Sequence, residues 1–305
     1  MKILITGSSG LIGTALKKKF ISLGIDVSGC DTACDPHESD YGDILNTNDL
    51  FHKMQGVDGV IHLAAVSRVI LGEKFPELCW KTNVEGTKNV IAAVIESPSI
   101  PWMIYASSRE VYGEQGSLNI AESAKLAPVN IYGESKAAAE SALNEAKMNG
   151  LRGAIVRFSN VFGSVYDHHD RVVPAFCLAA ANGENIRVDG KENLFDFTYI
   201  DDVVQGVLAV VFGLQSGQEL PPIHFTTGVA TSLGEIASFA KELSDHNIEI
   251  VEAPSRSFDV AKFSGNTARA EELLGWRAAI SVQRGMRRLI RDYKIVSLVN
   301  QAVYA

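Results

Sequence analysis

Residues 2–13, Lys-Ile-Leu-Ile-Thr-Gly-Ser-Ser-Gly-Leu-Ile-Gly, pass from an apolar run into a glycine loop and on into a helical stretch. Ile3, Leu4 and Ile5 make the unbroken apolar run of a parallel strand that is covered on both faces. Gly7 suits a tight turn, Gly10 lets backbone N–H groups approach a pyrophosphate, and Gly13 lets the helix lie close to the strand. A helix starting there points the positive end of its dipole at the phosphates. The spacing therefore predicts a dinucleotide site, with Gly7, Gly10, Leu11, Ile12 and Gly13 as candidate contacts.

Asp31 closes the second apolar segment, about twenty residues beyond the glycines, where a carboxylate bonds both ribose hydroxyls of an adenosine. A 2′-phosphate at that point would meet like charge, which favours NAD over NADP. Gly42-Asp43-Ile44 follows, and Asp43 and Ile44 are candidates to lie against the adenine.

Working outward, apolar strand segments recur at 2–6, 26–31, 59–64, 102–107 and 154–158, separated by helical stretches at 14–23, 84–95 and 136–146. That alternation predicts an α/β fold, a doubly wound parallel (Rossmann) sheet with ligands at the carboxyl ends of its strands. After about residue 165 the rhythm breaks into short strands (185–188, 223–226, 248–251) among helices at 173–181, 201–214 and 232–244. The expected division is an NAD-binding domain over 1–165, joined by some later segments, and a mainly substrate-binding lobe over 166–305.

A chain of 305 residues with 46% hydrophobic and 21% charged residues can bury a large core. Its net charge of -8 argues against a nucleic-acid surface, and no apolar run approaches the roughly 18 residues of a membrane span. No leader precedes the first strand, and the four cysteines show neither metal spacing nor a disulfide framework, so a cytoplasmic protein without a metal centre is expected.

Tyr132 and Lys136 stand four apart at the start of a helix, so both project from one face. A phenol ordinarily loses its proton near pH 10, and an adjacent ammonium lowers that value. Tyr132 is thereby a candidate to take the proton of an alcohol whose carbinol hydrogen leaves as hydride. Ser108 follows the fourth strand at the carboxyl edge of the sheet, and its hydroxyl can donate and accept together, bridging a reacting oxygen and the phenol. His62 reads as a hydrogen-bonded core histidine, His168-His169 as a polar loop, and Arg284–Arg288 as a solvated helix face.

The chain resembles the extended short-chain dehydrogenase/reductase family, the NAD-dependent epimerases and dehydratases of nucleotide sugars. The resemblance runs to about residue 290. It is carried by Thr6–Gly13, Val60–Ala65, Asn83–Thr87, Ser108 with Val111–Gly113, Tyr132–Lys136, Asn160–Gly163, Phe197–Asp202 and Leu274–Trp276. It implies NAD as cofactor, a nucleotide sugar as substrate and Ser108, Tyr132 and Lys136 as the catalytic triad. Asp31, Asp43 and Ile44 match adenosine contacts, Leu63, Ala64 and Ala65 line the cofactor, and Asn83 supports it. Asn160 and Arg256 match residues on the substrate diphosphate. The resemblance also implies a homodimer pairing the helices near 84–95 and 136–146.

Two departures bear on the reaction. Phe195 stands before the Asp-Phe-Thr-Tyr run where relatives usually carry an arginine that contacts the diphosphate. Arg109 stands between Ser108 and Glu110, where the 4,6-dehydratases have an aspartate that serves as acid, and a guanidinium cannot replace it. Glu110 itself matches dehydratases and uronate decarboxylases more than simple epimerases. Arg109 and Arg171 are candidate contacts for a carboxylate on the sugar, with Glu110 also at the substrate. The expectation is C4 epimerisation through a transient 4-keto sugar, with a uronate among the candidate sugars. The alternatives are a 4,6-dehydratase, a uronate decarboxylase, a 4-keto reductase or a non-catalytic NAD sensor.

Overall fold

The computed structural model describes residues 1–255 and 260–303, with side chains through residue 299. The opening strand spans Lys2–Thr6 (β1) and passes through Gly10 into a helix, Leu11–Ser22 (α1). Asp26–Cys30 (β2), Thr47–Lys53 (α2) and Gly59–His62 (β3) follow, then Val69–Lys74 (α3), Pro76–Trp80 (α4) and Gly86–Glu96 (α5). Next come Trp102–Ser108 (β4), Ile131–Met148 (α6), Gly153–Phe158 (β5), Asn160–Phe162 (β6) and Val172–Asn182 (α7). The later chain holds Ile186–Asp189 (β7), Leu194–Tyr199 (β8), Ile200–Gln215 (α8), Ile223–Phe225 (β9) and Ala230–Ser232 (β10). It ends with Leu233–Leu243 (α9), Ile250–Ala253 (β11), Ala268–Leu274 (α10) and Val282–Val303 (α11).

Six strands form one parallel sheet in the order β2-β1-β3-β4-β5-β9. Its strands read as unbroken apolar runs because both faces are covered. Ile3 and Ile5 of β1 pack with Leu16 and Phe20 of α1 and with Val203, Val207 and Val211 of α8 on one face. Leu4 points the other way, into a core with Leu50 of α2, Val90 and Val94 of α5, and Leu143 of α6. The strand order reverses between the neighbouring strands β1 and β3, which opens the crevice where ligands of such sheets bind.

The expected parallel sheet is observed, and β9 is a late segment that returns to it. The short-strand region contains more order than the periodicity suggests. A three-stranded sheet, β10-β8-β6, and a parallel pair, β11-β7, pack beside the main sheet. The strands of that smaller sheet are too short or too mixed in polarity for an alternation signal. β6 begins one residue after β5 ends, so the chain steps from one sheet to the other across Ser159 and sets Asn160 at the junction. Residues 295–303, unassigned from sequence, belong to α11, whose Met286, Leu289, Ile290 and Tyr293 join the same core as Phe176 and Cys177 of α7. Among the described residues, no helix is long and apolar enough to cross a membrane.

Candidate active site

A cleft of about 550 Å³ lies over the carboxyl ends of β1, β3, β4 and β5. The glycine loop forms its floor. A Cβ on Gly13 would sit 2.3 Å from the Gly7 carbonyl oxygen, so the first turn of α1 closes on the loop only with glycine there. At Gly10, by contrast, the nearest atom is 3.4 Å away, leaving the backbone open. No side chain caps α1, and no acidic residue occupies its first turn. Its N-terminal N–H groups are thus left for an anion, as a dinucleotide pyrophosphate requires. Gly7, Gly10, Leu11, Ile12, Gly13, Leu63 and Ala65 all line the cleft.

Asp31 sits beside this floor. Its carboxylate accepts from the backbone N–H of Ser9 at 2.9 Å and of Ala33 at 2.9 Å, which fixes it next to the loop with further lone pairs free for hydroxyl donors. These groups fit NAD. Asp43 accepts from Leu45 N–H in a local turn, and Ile44 is buried against Gly86.

Asn83 acts one step back from the cleft. A single π-helical turn, Lys81–Glu85, interrupts the helical run between α4 and α5. Its Asn83 accepts from Val66 N–H at 2.8 Å and donates to Val66 carbonyl at 3.1 Å and to Ser135 Oγ at 2.9 Å. The loop after β3 is thereby tied to the helix that bears Tyr132. Ala64, in that loop, donates its N–H to Thr6 Oγ1 at 3.2 Å.

Ser108 ends β4, and Tyr132 and Lys136 occupy the first turns of α6; all three line the cleft and are buried. Asn130 caps α6 by accepting from Gly133 N–H at 2.8 Å. Gly133 itself lies so near the Glu110 carbonyl that a Cβ would stand 2.5 Å from that oxygen. Only glycine lets α6 approach the turn after Ser108 this closely, and the approach brings Tyr132 and Ser108 into one cleft.

The electrostatics correct one expectation. Burial raises the Tyr132 phenol to about 12, and the downward pulls on it come from the Ser108 hydrogen bond and the Arg171 charge. Lys136 is itself lowered to about 8 by burial, and its Nζ donates to the Ala106 carbonyl at 2.8 Å. In the protein alone the ammonium does not acidify the phenol; the low dielectric around both groups outweighs it.

The turn Arg109–Tyr112 follows Ser108. Arg109 Nη2 lies 2.8 Å from Glu110 Oε1, and Asn130 Nδ2 donates to Glu110 Oε2 at 2.9 Å. On the opposite wall, Asn160 Nδ2 donates to the Asp196 carbonyl at 3.5 Å, and Arg171 lies 3.7 Å from Asp167. Both reach the cleft; Arg256 lies outside the described residues.

Sequence reasoning missed several contributors. Arg68 and Asp170 both line the cleft and form an ion pair that joins the loop after β3 to the loop before α7. Arg157 on β5 grips Glu140 on α6 through two bonds of 2.8 and 2.6 Å, anchoring the helix of Tyr132 and Lys136 to the sheet. Neither pair carries a local spacing signal, since 102 and 17 residues separate the partners. His62 is the core histidine its surroundings suggested, bonded to Thr6 Oγ1 at 2.6 Å and Thr87 Oγ1 at 2.9 Å.

A UDP-glucose 4-epimerase of Streptomyces lividans is 27% identical to this chain, over 90% of it and 91% of the relative. UDP-glucuronic acid decarboxylase 6 of Arabidopsis thaliana is 26% identical over 97% and 89%. Among solved structures, MoeE5 in complex with UDP-glucose and NAD superposes with a TM-score of 0.89 at 26% identity, covering 98% of this chain and all of that one. The family model described as the NAD dependent epimerase/dehydratase family matches residues 3–221. That span holds both the glycine loop and the helix of Tyr132 and Lys136, and the chain belongs to the NAD-dependent epimerase/dehydratase family.

Proposed function

We propose that the protein is an NAD-dependent nucleotide-sugar epimerase that inverts C4 through a transient 4-keto sugar. One observation carries this reading: Tyr132 and Lys136, four apart on α6, share a cleft with Ser108 and with the uncapped N-terminus of α1. Gly7, Gly10, Leu11, Ile12, Gly13 and Asp31 would hold the dinucleotide, with Leu63 and Ala65 against it and Asn83 bracing the loop that carries them. NAD bound there supplies a reversible acceptor for the carbinol hydrogen and a positive ring charge.

Tyr132 then removes the C4 hydroxyl proton, and Ser108 Oγ donates to the oxygen as it becomes a carbonyl. Lys136, held by the Ala106 carbonyl, keeps a positive charge near both. After the keto sugar turns over in the cleft, Tyr132 returns the proton to the same oxygen. Asn160 and Arg171 are suited to the diphosphate or to a sugar carboxylate, with guanidinium offering paired donors.

The four free thiols suit a reducing compartment such as the cytoplasm. A homodimer is part of this reading, with Leu78, Trp80 and Ile95 exposed on α4 and α5.

Incubating the purified protein with a panel of nucleotide hexoses and uronates, without added NAD, and following products by NMR tests the reading. A C4 epimer is expected. Uronate decarboxylation is the second reading, favoured by Glu110 and by the Arabidopsis relative, and released carbon dioxide is its signature.

A further inference from the structure

We propose that Arg109 holds Glu110 out of the chemistry, so that the cleft isomerises its sugar and does not eliminate water from it; this rests on the epimerase reading above. Glu110 stands two residues beyond Ser108 and lines the same cleft as Tyr132 and Lys136. Once C4 is a carbonyl, the hydrogen on C5 becomes acidic. A carboxylate free to swing to C5 could take that proton, leave an enolate and open the route to loss of the C6 hydroxyl.

Here each oxygen of Glu110 is tethered by a neighbouring side chain. Oε1 faces Arg109 Nη2 at 2.8 Å, and Oε2 accepts from Asn130 Nδ2 at 2.9 Å. Neither donor depends on substrate for its position. The Arg109 guanidinium lies 4.5 Å from the Phe195 ring centroid and 5.9 Å from that of Phe263, in cation–π range of both. Asn130 is fixed as the cap of α6.

The side chains of the ion pair are only 11% and 6% exposed. With Glu110 held between Arg109 and Asn130, Tyr132 is left as the proton carrier at C4.

The test uses the NAD-bound protein turning over a nucleotide hexose in D2O, with deuterium at C5 read by NMR. Wild type is expected to form the C4 epimer with no deuterium at C5. In Arg109→Met, whose unbranched side chain keeps packing against Phe195 and Phe263, Glu110 is released. C5 deuterium should then rise at least tenfold, and Glu110→Gln added to it should remove the gain. Wild type that loads C5 with deuterium while epimerising overturns this inference alone, as does an Arg109→Met protein that epimerises without C5 exchange. A wild type yielding a 4-keto-6-deoxy sugar overturns the epimerase reading with it. Should Arg109→Met not fold, the single Glu110→Gln protein decides the matter: a kcat–pH profile that loses a limb present in wild type means Glu110 is a working acid or base.

Discussion

The Arg109 guanidinium packs over the Phe195 ring, 4.5 Å from its centroid. These are the two positions at which the chain departs from the pattern of the family it resembles, 86 residues apart in sequence, and they touch. An arginine at 195 would place a second cation against the first. Phenylalanine instead offers the negative face of its ring quadrupole, and a buried apolar wall that keeps the Arg109–Glu110 pair dry. Phe195→Leu keeps the wall and removes the ring. It is expected to cost about 1–2 kcal/mol of stability, read from urea denaturation midpoints. An unchanged midpoint would mean that Glu110 alone positions the guanidinium.

Lys136 makes the site costly to fold. Its ammonium is buried, and its pKa falls from 10.5 to about 8. Between those values an unfolded chain holds a proton that the folded one has released, so stability rises with pH through that window, and the penalty is fully present below about pH 8. Its size is on the order of 3 kcal/mol. Lys136→Met should therefore raise the Tm of NAD-stripped protein at pH 7 by a few degrees, with some of the gain offset by the lost bond to the Ala106 carbonyl. The advantage should shrink by pH 10 while turnover stays abolished. Equal Tm differences at both pH values would show that the buried ammonium carries no such cost.

Much of the main sheet was legible because its signals are local. The apolar runs at β1, β3, β4 and β5 are continuous, and the glycines at 7, 10 and 13 can be read by spacing alone. Ser108, Tyr132 and Lys136 were legible from their positions at a strand end and on one helical face. What sequence did not show depends on partners distant along the chain. β6, β8 and β10 exist as a sheet only because they find one another. The Tyr132–Lys136 spacing was read correctly as shared helical face, but spacing says nothing of burial, and burial sets both pKa values.

Asp31 should decide cofactor choice. Its carboxylate is pinned by Ser9 and Ala33 N–H groups, with acceptor capacity left for ribose hydroxyls. Hydrogen bonds to an ionised group are worth about 1.5–3 kcal/mol, so Asp31→Ala should weaken NAD binding roughly 10- to 100-fold. Because the same change removes repulsion of a 2′-phosphate, the preference for NAD over NADP should narrow. Titrating both nucleotides into stripped protein checks this, and an unchanged NAD:NADP ratio would place the adenosine ribose elsewhere.

Acid should unfold the protein partly through His62. The imidazole lies between Thr6 and Thr87 hydroxyls under the Tyr105 ring, fully buried, and burial together with the Lys136 charge lowers its pKa to about 3. As pH falls below about 6.5, unfolded chains take up a proton at this position and folded ones do not, so stability drops until pH approaches 3. By pH 5 the loss is on the order of 2 kcal/mol. His224, lowered to about 3 mainly by burial and then by the Arg157 charge, acts in the same sense. In His62→Gln the amide can still serve both hydroxyls but cannot titrate. Whatever the substitution costs at pH 7, the fall in unfolding free energy between pH 7 and pH 5 should be smaller than in wild type by about that amount. Urea denaturation at the two pH values gives the slope, and a slope identical to wild type would mean that His62 is already protonated in the folded protein.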